Sequence, residues 1–154
     1  MAKLIILLLA GFVSAAMANT RTCFCEIRTS TSRSDPIFLD VPNPLYRHWL
    51  HLTCSTAKQS CPDDCRRAAA NALGGSVHPL NNDAGAAACA RLKRQVTPDN
   101  PVHLYAHYST SSCDHRGYQY LGELCCWEIN FGPAYPVHYL HNPSCSADQH
   151  PLGL

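Results

Sequence analysis

The sequence predicts an α+β fold, a small disulfide-rich domain with a helix pair packed on an antiparallel sheet. Three observations carry that expectation. Ten cysteines stand at Cys23, Cys25, Cys54, Cys61, Cys65, Cys89, Cys113, Cys125, Cys126 and Cys145, and an even count in an exported chain predicts complete pairing. The first and last thirds alternate apolar and polar residues as strands do, while the middle carries helix caps and helical spacing. Strands, then a helix pair, then strands is the order of an α+β domain.

The chain opens with MAKLIILLLAGFVSAAMA. One lysine, an apolar run from Leu4 to Val13 and small residues ending Ala16-Met17-Ala18 read as a secretory leader over 1–18, cleaved after Ala18. The run is shorter than the ~20 residues a membrane span requires. Residues 19–154 are then expected to form one secreted, extracellular domain with a short C-terminal tail. Lys3 is the only charge in the leader, so the remainder balances eleven basic against eleven acidic residues. Such a balance gives no drive towards nucleic acid or anionic membranes at neutral pH. Nine histidines make the charge more positive in mild acid, where attraction to anionic glycans or lipids is expected.

Along the chain, TCFCEIRT alternates and predicts a strand with Cys23 and Cys25 on one face. STSRSDP is a polar loop, and the two prolines of IFLDVPNP limit it to a short edge strand. LYRHWLHLTC places Leu45, Trp49 and Leu52 at helical spacing and is read as a helix. In CPDDCRRAAANALGG, Ser60 is the expected N-cap, Pro62 a first-turn residue, Asp63 and Asp64 complements to the helix dipole, and Gly74-Gly75 the stop. A second helix is expected from Ala84 to Val96, capped by Asp83 and stopped by Pro98. Cys65 and Cys89, each mid-face on its helix, are expected to join the pair. Val102, Leu104, Ala106 and Tyr108 alternate with His103, Tyr105 and His107 as a half-buried strand. GYQYLGELCCWEI returns as a long strand with Gly122 as its bulge, and VHYLH adds a short one. Cys125 and Cys126 point to opposite faces and need different partners, one of them Cys23 or Cys25.

The motifs point away from catalysis. Cys61-x3-Cys65 has no second pair at metal-knuckle spacing, so both cysteines are read as disulfide partners and no metal or other cofactor is expected. Gly74-Gly75-Ser76-Val77-His78 lacks the last glycine of a nucleophile elbow. Cys113-Asp114-His115 is adjacent in sequence, which is not triad geometry. His103 and His107 lie too far apart along a strand to chelate one ion, and His48 with His51 needs distant help. Arg91-Leu92-Lys93-Arg94 matches a dibasic processing pattern and is read as a basic helix end. The expectation is a non-enzymatic binding protein, a defence, venom or other secreted effector, recognising an extracellular protein or glycan. Tyr105, Tyr118, Tyr120, Trp127 and Tyr135 are its candidate binding residues. A structural component of matrix, mucus or mineralised secretion, and a small secreted hydrolase, are the alternatives.

Overall fold

The computed structural model describes residues 21–48, 54–73, 82–111, 113–143 and 145. The expected leader, Gly74-Gly75, His51 and most of the tail lie outside these residues. The elements are β1 (Arg21–Arg28), β2 (Leu39–Asp40), β3 (Tyr46–His48), α1 (Cys54–Ala72), α2 (Asn82–Leu92), β4 (Val102–Thr110), β5 (His115–Leu124), β6 (Cys126–Ile129) and β7 (His138–His141). The fold is α+β, as expected from the order of patterns.

The main sheet runs β2-β1-β4-β5, with β3 also pairing β1, and all of its pairings are antiparallel. A second sheet pairs β6 with β7. Alternation gives the main sheet two distinct faces. Cys23, Cys25 and Ile27 of β1, Val102, Leu104 and Ala106 of β4 and Leu124 of β5 are buried on the inner face. Across the β4–β5 register shift, Leu104 pairs with Gly122 and Tyr105 with Tyr120, leaving Leu121 as the extra residue. Gly122 has φ 145°, a region that favours glycine. The expected bulge is therefore at Gly122, and it keeps the alternation in phase on both sides.

α1 lies on the inner face. Its buried residues Ala57, Cys61, Cys65 and Ala69 recur every fourth position, and Leu73 continues the stripe with no exposure. Two of these positions are half-cystines, bonded to β1 as Cys23–Cys61 and Cys25–Cys65, with Cα separations of 5.6 and 5.2 Å. The geometry explains the match. Two strand residues advance ~6.6 Å and four helical residues ~6 Å, so Cys-x-Cys and Cys-x3-Cys form two rungs of one ladder.

Several local expectations are corrected. α1 begins at Cys54, so Ser60 is not an N-cap and Pro62 is interior; the Ser60 hydroxyl instead donates to the Thr56 carbonyl at 3.0 Å. An interior proline removes one helical hydrogen bond and costs about 3 kcal/mol. Bridges at Cys54, Cys61 and Cys65 clamp the helix on both sides of Pro62 and hold it through that defect. Tyr46–His48 is strand rather than helix because Arg21, Thr22 and Cys23 offer it a free edge.

α2 ends at Leu92, four residues early. Lys93 takes φ 51° and its N–H donates to the Cys89 carbonyl at 3.1 Å, a left-handed helix stop. Val96 then leaves to bridge Cys126 through two 3.0 Å hydrogen bonds. Cys65 and Cys89 are not joined: Cys89 bonds Cys126, and Cys125 bonds Cys145. The adjacent pair does take different partners, but neither is Cys23 or Cys25, because α1 occupies the strand cysteines first. α2 packs against β7 rather than on the main sheet, and residue 85 is its point of closest approach. A Cβ on Gly85 would stand 2.2 Å from the His141 ring, which only glycine avoids. Cys65, Ala69 and Leu73 of α1 and Ala88 and Cys89 of α2 nevertheless enter one core cluster.

Candidate functional site

The outer face of the main sheet carries the polar half of each strand's alternation. From β1 it receives Phe24, Glu26 and Arg28; from β4, His103, Tyr105, His107 and Ser109; from β5, Arg116, Tyr118, Tyr120 and Glu123. The register sets Glu26 opposite His107, His107 opposite Tyr118, and Tyr105 opposite Tyr120. Three of the five expected binding aromatics therefore meet here. The Tyr105 ring lies 5.8 Å from Tyr118 and 5.6 Å from Tyr120, at interplanar angles of 87° and 59°. Tyr118 and Tyr120 are 51% and 52% exposed. His103 continues the cluster, with its ring 5.8 Å from that of Tyr120. Burial, then Glu123, then Tyr105 raise the Tyr120 phenol above its ordinary value of 10.0, since each disfavours the phenolate.

Trp127 and Tyr135 do not join them. Trp127 is half-buried on β6, and Tyr135 is 64% exposed in the connection between β6 and β7, which also exposes Phe131 at 60%. Trp127 belongs to the second sheet and Tyr135 to the connection between its two strands.

Beside the tyrosines the outer face is roofed by the loop between β1 and β2. Its serines bond one another in local turns: the Ser32 N–H donates to Ser30 Oγ at 3.1 Å, and Ser30 Oγ donates to Asp35 Oδ2 at 2.5 Å. The loop carries Arg33 back over β4, where its guanidinium donates to the Tyr108 carbonyl. Below it lies a cavity of about 250 Å³ lined by Phe24, Glu26, Arg33, Asn43, His107 and Ser109. Asn43 is fixed by both halves of its amide: Oδ1 accepts from the Cys25 N–H at 2.7 Å and Nδ2 donates to the Cys25 carbonyl at 2.5 Å. Glu26 is engaged by Arg28 at 3.0 Å, and both side chains are largely buried.

His107 is the most enclosed member, 1% exposed. Its Nε2 lies 2.8 Å from the Ser30 carbonyl, which can only accept, so Nε2 carries the proton. Nδ1 is then a bare acceptor in the neutral ring, and it is buried without a partner. Such an acceptor is costly unless something donates to it. A larger groove of about 350 Å³ lies between Pro42, Pro44, Leu45 and α1, with Asn71 as its one polar side chain. It presents few directional groups, and the smaller polar cavity is the better candidate site.

Sequence reading did not single out Phe24, Glu26, Arg33, Asn43 or Ser109. Period-two alternation on β1 sends Phe24 and Glu26 away from the disulfide face, which is a signal for those two. Arg33 and Asn43 reach the site from loops, where no periodicity applies.

The other motifs resolve simply. Cys61 and Cys65 are disulfide-bonded, as is Cys113 to Cys54. Asp114 contacts Arg116 at 3.5 Å, while the His115 ring lies 5.3 Å from that of Tyr108. All ten expected cysteines are paired. Among the described residues no three His, Cys, Asp or Glu side chains gather as a metal site, and no helix is long and apolar enough to cross a membrane. Comparison with protein-family models, with curated proteins and with solved structures finds no match for this chain.

Proposed function

We propose that this is a secreted, disulfide-stabilised binding protein whose outer sheet face recognises an extracellular glycan. The observation that carries the reading is the cluster of Tyr105, Tyr118 and Tyr120 set against the polar cavity of His107. A pyranose ring is amphipathic: its C–H face packs on aromatic carbon, and its hydroxyl rim requires donors and acceptors in fixed places. The tyrosines supply the first. Ser109, Glu26 and Arg33 supply the second, and a cavity of about 250 Å³ has the scale of one sugar residue. The five disulfides suit the oxidising extracellular setting that the leader implies.

The experiment is a panel of immobilised oligosaccharides and extracellular proteins, probed with the oxidised protein and with the variant Tyr118→Ala/Tyr120→Ala. Glycan binding that falls at least about tenfold in the variant, with the near-UV spectrum otherwise native, supports the reading, since base or sugar stacking on one aromatic ring is worth on the order of a factor of ten. Binding to a protein ligand alone, or glycan binding indifferent to both tyrosines, overturns it.

A further inference from the structure

We infer that the cavity beneath the Arg33 loop is specific for a sugar residue bearing a carboxylate, which rests on the glycan reading and narrows it to acidic glycans. The argument is one of charge and donors. The charged side chains lining the cavity are Glu26 and Arg33, with Arg28 holding Glu26. The Arg28 guanidinium neutralises the Glu26 carboxylate, so Arg33 is the charge left uncompensated at the cavity among the described residues. Asp35, two residues along, is engaged by Ser30 and does not line the cavity. Arg33 is exposed and has given one N–H to the Tyr108 carbonyl. A guanidinium has five, and its planar fork fits a carboxylate bidentately.

The second requirement is independent of the first. Ser109 lines the cavity with a hydroxyl, which can both donate and accept and is matched by the hydroxyl rim of a sugar. A simple anion satisfies Arg33 and offers Ser109 no donor; a neutral sugar meets Ser109 and leaves Arg33 in water. A residue carrying both groups, such as a hexuronic acid, satisfies both. Phe24, 41% exposed at the same cavity, offers carbon to its C–H face.

The test is calorimetric titration of the oxidised protein with three trisaccharides: galacturonic acid, its methyl ester and neutral galactose. The expected result is binding of the acid roughly tenfold or more tighter than the other two, as for one charge-assisted contact. Arg33→Gln, an exposed loop change that leaves the core untouched, should bring all three to equal affinity. Ser109→Ala, which removes the hydroxyl at the cavity, should weaken all three together. Equal affinity of acid and ester for the unaltered protein overturns the inference while leaving the glycan reading standing. A preference that survives Arg33→Gln also overturns it. No binding of any of the three, with no other oligosaccharide bound in the panel above, removes the glycan reading and this inference with it.

Discussion

The two faces of the main sheet come from the same strands and differ in almost everything else. Cys23, Cys25 and Ile27 are at most 1% exposed on the inner face, whereas Phe24, between the two cysteines, is 41% exposed on the outer. Inner residues on β4 meet α1 and the core; outer ones meet rings, a serine-rich loop and solvent. Under the proposed function, the contrast separates two jobs of one sheet. The inner face supplies cohesion, by apolar burial and covalent rungs, and so leaves the outer face free to carry groups chosen for what they touch. If that separation holds, damage to the inner face should appear as lost stability, and damage to the outer face as lost recognition at nearly unchanged stability.

The largest expected effect breaks the ladder. Each rung closes a loop of 38 or 40 residues, worth about 4 kcal/mol of unfolded-state entropy in the chain model. The two loops are almost the same loop, so once one rung is present the other removes little further freedom. Replacing Cys25 and Cys65 by alanine, or Cys23 and Cys61, should therefore cost much less than half of what all four replacements cost. Denaturant midpoints of the three variants check this; single-pair losses that sum to the fourfold loss would show the rungs to be independent.

A smaller effect contrasts one residue from each face. Leu104 is fully buried, and Leu104→Ala should cost about 2–5 kcal/mol through lost transfer energy and the cavity left behind. Tyr118→Ala removes an exposed ring and its contacts with Tyr105 and His107, and should cost about 1 kcal/mol. Equilibrium unfolding of both variants decides whether the faces divide as described. A Tyr118 loss as large as that of Leu104 would make the outer face part of the core's cohesion.

The smallest effect is a titration. The raised Tyr120 phenol means that the folded state holds this proton more tightly than the unfolded chain. Its favourable share is intact below pH 10 and is lost as pH rises through the raised value, where the unfolded chain has already ionised. Spectrophotometric titration of Tyr120→Phe against the unaltered protein should show the missing phenol to be a late one. Glu123→Gln should bring that step earlier, by removing one of its causes.

The alternation of TCFCEIRT and of Val102–Tyr108 determined the strands and their two faces, because side chains on a strand must alternate whatever surrounds them. Cysteine count determined complete pairing, and Gly122 determined the bulge, because few other residues adopt its φ. Proline misled the reading of α1: locally it looks like a first-turn residue, and only the bridges on either side of it hold a helix through the interior. The pairing itself was decided by tertiary structure. Cys65 and Cys89 each sit on an inner helix face, as expected, but a cysteine bonds the partner that packing brings within about 6 Å, and for Cys65 that is Cys25, one rung above Cys23. The same holds for the cavity. His107 reads as one more outward residue of a strand, and becomes a buried, unpartnered acceptor only because a distant loop folds over it and brings Arg33 to its side.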